Sequence, residues 1–356
     1  MSLDVELGRE SVRKPTPPIE RLAEDVWSVP LPNPGSPSFT YCYLLTSPGG
    51  VVVVDPGWAS DSGWPSLLQA LEGAGFAPSD VVGVAITHAH RDHHGLSGRL
   101  RAETGAWIGM HPREAQAIGQ PVFASVVALE RQWLHRAGVP DDEVEELLPD
   151  PGEYADRERL ARPDVLLDDG ELLSFDRPIR AIWTPGHTAG HLCFYDERNR
   201  LMLTGDHVLP RISPHVSQRP GEASDVASYL SSLHRLDAFD VEQALPAHEY
   251  RIPDLRKRTA EIADHRRLRD LEVLDVLAMG DASVWEIAPR LSWSRGWVAT
   301  RGLHRRSALA ETSAHLIHLL GVGAISRFAD RGAPAVVRWH VGDGQITSNE
   351  RGPTDG

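Results

Sequence analysis

Apolar runs of strand length recur through the first 250 residues, at 40–45, 51–54, 81–87, 179–183, 191–195 and 201–204. Short continuous runs of this kind, bounded by turn residues, predict buried strands. Between them, 62–76 and 225–236 carry apolar positions at helical spacing, so strands and helices alternate and the expected class is an α/β layered domain. Residues 111–164 depart from that rhythm. Here 123–137 is apolar at helical spacing, 141–148 is strongly acidic, and Pro149, Pro151 and Gly152 follow. This helical insertion reads equally well as a lid or pocket wall and as a surface excursion.

Beyond residue 253 the order changes again. A long amphipathic helix is expected over 255–279, a short one over 283–290 and a longer one over 303–320. A hairpin follows over 325–340, broken at Asp330-Arg331-Gly332-Ala333-Pro334. Helix, helix, helix, hairpin is the order of a winged-helix-like module. The expected division is therefore a flexible N-terminus (1–19), the layered domain (20–252), a winged-helix-like C-terminal domain (253–342) and a flexible tail (343–356). No internal repeat is present; 9–18 and 345–356 have the composition of disordered ends.

At 356 residues the chain is long enough for two domains, and it has no apolar run long enough to span a membrane. The first residues carry Asp4, Glu6 and Glu10 and no apolar core of a secretory signal, so a cytoplasmic protein is expected. Cys42 and Cys193, the two cysteines of the chain, sit inside apolar runs; buried core positions are expected and a disulfide framework is excluded. The net charge of -14 argues against a surface built for nucleic acid. It is uneven, however: residues 253–356 hold fifteen Arg and Lys against thirteen Asp and Glu, which again marks a separate C-terminal unit.

The strongest chemical signal is Thr87-His88-Ala89-His90-Arg91-Asp92-His93-His94-Gly95, directly after the run at 81–87. Extended backbone puts His88 and His90 on one side, and Asp92 and His93 begin the next turn. Such a cluster can divide its ligands between two adjacent metals if later segments complete each shell. Three later segments each put one candidate just past a strand end: His187 in Thr184-Pro185-Gly186-His187-Thr188-Ala189-Gly190-His191, Asp206 in Leu203-Thr204-Gly205-Asp206, and His248 in Pro246-Ala247-His248-Glu249-Tyr250. Five His and two Asp suffice for two divalent cations, a carboxylate bridge and an open position for water.

The ordered set Asp55, His88-x-His90-x-Asp92-His93, His187, Asp206 and His248 resembles the metallo-β-lactamase superfamily over about residues 20–252. The resemblance implies a four-layer αβ/βα sandwich of two mixed sheets flanked by helices, with metals at one edge between the sheets. It implies that His88, His90 and His187 hold one metal and Asp92, His93 and His248 the other, with Asp206 bridging and Asp55 supporting the ligand loop from behind. His191 is not a ligand in this family. Aspartate at 206, where the main dizinc antibiotic-degrading members have cysteine, favours the glyoxalase II-like, lactonase-like and nuclease branches. The Thr-Pro-Gly-His-Thr-Ala-Gly-His string and the Ala-His-Glu-Tyr ending look most like glyoxalase II. The departure is at the C-terminal end, where Lys257 and Arg258 do not align with the basic residues that bind glutathione in that enzyme.

The expected function is a metal-dependent hydrolase in which a metal-bridging hydroxide, oriented by Asp92 and Asp206, attacks a thioester, ester or lactone carbonyl. Zinc is the first expectation for the two cations, with iron or manganese also compatible with a His/Asp set lacking thiolate. Arg211 and His215, on the segment after Asp206, are candidate substrate contacts. An alternative is an endoribonuclease-type phosphodiesterase whose His304, Arg305, Arg306 and Ser307 contact phosphate, although the small positive charge of the tail favours packing or a homodimer contact. A metal-sensing DNA-binding regulator would need a strongly basic tail face, which the sequence lacks.

Overall fold

In the computed structural model, residues 16–342 are described except 35–36, 119–122, 150, 152–159, 217, 220–221, 224–225 and 331–334. The expected flexible ends, part of the 111–164 insertion and most of the hairpin break therefore lie wholly or largely outside the described residues. Two sheets form the centre. The first has seven strands in sequence order: β1 (Glu20–Ala23), β2 (Val26–Pro32), β3 (Phe39–Ser47), β4 (Gly50–Val54), β5 (Val81–Ala85), β6 (Trp107–Met110) and β7 (Val165–Leu166). Strands β1 to β4 pair antiparallel and β4 to β7 parallel. The second contains β8 (Ile179–Trp183), β9 (Leu192–Asp196), β10 (Leu201–Gly205) and, after a two-residue pair at Gln218–Arg219 and Glu222–Ala223, a strand at Gln243–Pro246, in which β10 runs parallel to the last and antiparallel to β9.

The period of two along each strand sorts side chains into layers. Val52 and Val54 of β4, with Tyr43 and Leu45 of β3, meet Ala181, Leu192, Phe194, Leu201 and Leu203 between the sheets. Their neighbours Val51, Val53, Cys42 and Leu44 face the opposite way, onto Trp64, Leu67 and Leu71 of α1 (Gly63–Gly73) and Leu100. On the second sheet Ile182, Cys193, Tyr195 and Met202 face outward, onto Tyr229 and Leu233 of the helix Val226–Leu236 and Leu255 and Ile262 of the helix Leu255–Leu277. Helix, sheet, sheet, helix is the αβ/βα sandwich. Both cysteines are buried and unpaired, as their apolar surroundings predict.

Strand β2 escapes the hydrophobic pattern because Pro30 and Pro32 interrupt it. Both prolines lie beyond the part of β2 that pairs with β1, which ends at Ser28, so their missing N–H groups leave no gap between those two strands. The C-terminal segment follows the expected order of helix Leu255–Leu277, short helix Val284–Ile287, helix Gly302–Gly321 and an antiparallel pair, Ile325–Ala329 with Val337–Val341, to which Ala282–Ser283 adds a third strand. Its core is not its own. Leu134, Ala137, Val139, Val144 and Leu147 of the insertion share one apolar cluster with Val273, Leu277, Ile287, Leu309, Leu316 and Trp339. Among the described residues no helix is long and apolar enough to cross a membrane.

Candidate metal centre

Because β4, β5 and β6 run parallel, and β8, β10 and the strand Gln243–Pro246 run parallel in the other sheet, their carboxyl ends open onto one edge, where open α/β sheets commonly bind ligands. Asp55 follows β4, His88 to His93 follow β5, His187 follows β8, Asp206 follows β10 and His248 follows Gln243–Pro246. Main-chain bonds from Leu192 N to the Thr87 carbonyl (2.8 Å) and from Tyr41 N to the Ala247 carbonyl (2.7 Å) join the two sheets at this edge. Glycine precedes two of the candidates for steric reasons. A Cβ on Gly186 would lie 2.4 Å from the Tyr229 ring, and one on Gly205, whose φ is +49°, 2.8 Å from His191 and Thr87.

The seven residues expected as ligands converge. One group comprises His88, His90, His187 and Asp206, the other Asp92, His93 and His248, and within each group one ligand atom per residue lies within 4.8 Å of the rest. In the first group His90 Nδ1 is 2.7 Å from His88 Nε2 and 3.2 Å from His187 Nε2. Asp206 stands between the groups: Oδ2 is 3.8 Å from His187 Nε2 and 3.5 Å from His93 Nε2, and Oδ1 is 3.3 Å from His248 Nε2.

The atoms behind the rings fix which nitrogen is bare. His187 Nδ1 donates to the His215 carbonyl (2.8 Å) and His248 Nδ1 to the Phe39 carbonyl (3.3 Å), so each ring turns Nε2 inward. Asp55 accepts from His93 Nδ1 (2.8 Å), from Thr87 N (2.8 Å) and from Thr87 Oγ1 (2.7 Å). Since the Thr87 hydroxyl proton goes to Asp55, that oxygen can only accept from His88 Nδ1 (3.0 Å), which leaves His88 Nε2 bare as well. This backing of ring nitrogens is what metal-ligating histidines require. Asp55 itself sits at φ +52°, a conformation costly for a non-glycine residue and found where the surroundings over-determine it. His94 is the contrast within the same string: Nδ1 meets Ser97 (2.6 Å) and Nε2 the Ala161 carbonyl (2.7 Å), so it has nothing left to offer.

The electrostatics ask for positive charge. Burial, and then the neighbouring imidazoles His93, His90 and His187, push His88 well below its ordinary range; burial likewise lowers His187 against Asp206. Burial opposes charge on His248 too, but Asp206 and Asp92 raise it to about 10, and Asp92, Asp206 and Asp55 raise His93. His93 Nε2 is buried without a hydrogen bond. Bare neutral nitrogens on one side and carboxylates drawing protons onto imidazoles on the other are both demands that divalent cations meet, so the donor set fits them.

Three residues at this edge escaped the sequence reading. Glu114, buried, accepts from Ala89 N and Gly190 N (2.8 Å each) and so clips the His88 loop to the His187 loop. Asn33 and Thr40 each donate to Asp92 Oδ2 (3.3 Å). No spacing links them to the ligands; Glu114 alone follows the carboxyl end of a parallel strand, β6, and was findable on that ground. Arg91 lies over the Trp58 ring at 4.3 Å, anchoring the ligand loop to the segment after Asp55. His191 is buried, bonded through Nδ1 to Thr184 (3.0 Å) and stacked on His88. Arg211 faces Glu249 (2.7 Å), and the His215 ring lies 3.6 Å from Glu311. Arg258 donates to the Leu209 carbonyl (2.7 Å) and the Ile212 carbonyl (3.0 Å).

Of the phosphate contacts considered in the tail, His304 is exposed and Ser307 half-buried, and the two arginines are turned inward. Arg305 and Arg306 are buried, and Arg305 is bonded to the Thr300 carbonyl (2.8 Å) and Glu143 (3.1 Å) between Trp285 and Trp297. A guanidinium packed this way has no free face for a phosphate.

Comparison with known proteins bears on the family and the fold. The model of the metallo-beta-lactamase superfamily matches residues 35–248, more than half of the chain. The lactamase-like protein adaB of Aspergillus niger is 26% identical over 276 residues, covering 76% of this chain and 69% of its own. The atrochrysone carboxyl ACP thioesterase of Aspergillus chevalieri is 30% identical over 166 residues, covering 46% of this chain and 51% of its own. Among solved structures, a metallo-beta-lactamase family protein from Thermus thermophilus superposes with a TM-score of 0.73 at 29% identity, over 90% of this chain and all of that one.

Proposed function

The chain belongs to the metallo-β-lactamase superfamily, whose members are generally hydrolases binding divalent metals, and from that premise we propose that it hydrolyses acyl thioesters, with esters and lactones as related substrates, through two divalent cations. The observation that carries the reading is the convergence of five imidazoles and two carboxylates in two groups with Asp206 between them. Support for the thioester comes from the relative of Aspergillus chevalieri, a thioesterase by name. Zinc is the proposed metal, in a donor set of nitrogen and oxygen that also suits iron or manganese.

When bound, such cations polarise a carbonyl and acidify water toward neutral pH. The chain's own residues prepare the rest. His88, His90 and His187 would hold one cation, and Asp92, His93 and His248 the other, with Asp206 shared between them. Burial works against ionised Asp92, but His93 and His248 hold it below the usual carboxylate range, so it remains an acceptor able to orient an attacking water. Asn33 and Thr40 hold that carboxylate through Oδ2. In this reading Asp92 and Asp206 are the catalytic carboxylates. Arg211 and His215 enter as substrate contacts in competition with Glu249 and Glu311. The absence of thiolate at 206 and the histidine strings support a glyoxalase II-like chemistry rather than an antibiotic-degrading one.

The test is thiol release from a panel of acyl-glutathione and acyl-coenzyme A thioesters by metal-loaded protein, with His88→Ala as the blank. Metal-dependent turnover well above that blank is expected. Turnover equal in both proteins would sink the reading, and turnover of lactones alone would move the substrate class.

A further inference from the structure

The segment 206–215 has both ends at the metal centre: it begins at Asp206 and ends at His215, whose carbonyl accepts from His187 Nδ1. Between those ends it forms no helix or strand, so its carbonyls need partners from elsewhere. Tyr229 donates to the His207 carbonyl (2.7 Å). Thr204 Oγ1 donates to the Val208 carbonyl (3.0 Å), and three further carbonyls are met from one face of the helix Leu255–Leu277. Arg258 takes the carbonyls of Leu209 and Ile212, and Arg266, two turns further on, donates to the Pro214 carbonyl.

Arg266 is fully buried, and its charge is met by Glu311 on the helix Gly302–Gly321 (2.9 Å); the other Glu311 oxygen lies 3.6 Å from His215 Nδ1. A buried guanidinium without that carboxylate would be strongly unfavourable, so Glu311 fixes where Arg266 stands. Glu311, Arg266, Pro214, His215 and His187 thus form one connected path from the C-terminal helices to a ring nitrogen of the centre.

We propose that Glu311, Arg266 and Arg258 are positioning residues for the His187 side of the metal centre, so that the C-terminal helices are part of the site's second layer of support. The inference rests on the reading of His187 as a metal ligand. It gives the C-terminal segment a role that needs no nucleic acid.

The test uses full-length protein loaded with cobalt(II), whose visible absorption reports its ligand geometry; the band lost in His88→Ala marks the ion on the His88, His90 and His187 side. Glu311→Gln is expected to weaken that ion about ten- to hundredfold in competition with a chelator and to shift its band. Glu143→Gln, which breaks another C-terminal ion pair with Arg305, is expected to leave both ions and both bands as in wild type. Wild-type affinity and spectrum in Glu311→Gln, or an equal loss in Glu143→Gln, would overturn the proposal. Should Glu311→Gln fail to fold, Glu311→Asp keeps the charge, withdraws it by one methylene and is read the same way. A wild-type protein that binds no cobalt removes the metal reading and this inference together; normal wild-type binding with an inert Glu311→Gln removes only the inference.

Discussion

His88, His93, His187 and His248 each give one ring nitrogen to a protein neighbour and leave the other facing the centre. His315 and His318, in the C-terminal helix, also give Nδ1 to a neighbour, but they share one buried carboxylate, Asp270, at 2.8 and 2.9 Å, and among the described residues neither belongs to a group of converging ligand atoms. Nearby, Arg266 meets Glu311 and Arg305 meets Glu143. Both regions are rich in buried charge, but the C-terminal one pairs its charges with each other and the loop edge leaves valence open in one direction. The chemistry of the molecule sits where partners are missing together, and buried polarity by itself does not identify it.

That contrast can be broken at the ligand edge first. Asp206→Ala removes the residue shared by both groups and should lose bound metal and turnover together, by about a thousandfold or more in kcat/KM, since several kcal/mol of charge stabilisation are lost. Metal analysis of the purified variant with thioester kinetics checks this; a variant keeping two equivalents of metal would separate Asp206 from the centre. Asp55→Ala leaves His93 Nδ1 and both Thr87 donors without their acceptor, and metal affinity should fall about ten- to hundredfold. Chelator competition reads that loss, and unchanged affinity would mean that the ring of His93 is held by packing alone.

Effects become smaller away from the ligands. Glu114→Gln can accept only one of the two N–H groups it now satisfies, which should cost about 1–3 kcal/mol of stability and reduce turnover by less than Asp55→Ala does. Urea unfolding and kinetics on the same preparation test the order of the two variants. Arg305→Met, in the self-paired C-terminal region, should lower the thermal midpoint while leaving metal content and turnover per folded protein as in wild type. A loss of metal from this variant would erase the distinction between the regions.

The sequence displayed these two regions unequally. The convergence of the candidate ligands could be read because each candidate sits just past a strand end and several come in a tight string, so local order already implies spatial proximity. Val51 to Val54 and Leu192 to Tyr195 were legible as strands, although not which alternate residue faced which layer. Glu114, Asn33 and Thr40 were hidden because their roles depend on elements 25 to 76 residues from the atoms they hold. Strand β2 was obscured by prolines that are tolerated only because β1 is too short to reach them. The arginines were the most misleading, since exposed and buried guanidinium groups look alike in a sequence. Arg305, considered as a phosphate contact, is enclosed by Trp285, Trp297 and Glu143; Arg266, which drew no notice, reaches the loop that backs His187. Likewise the insertion at 123–147 and the C-terminal helices give no sequence sign that they close one core between them.

The most direct test of the central claim is a titration of metal-free protein with zinc while thioester turnover is followed. Turnover should be negligible at the start and rise to saturation at two equivalents per chain, and His248→Ala should fail to bind the second. Full turnover by metal-free protein, or saturation unaffected by both His88→Ala and His248→Ala, would contradict it.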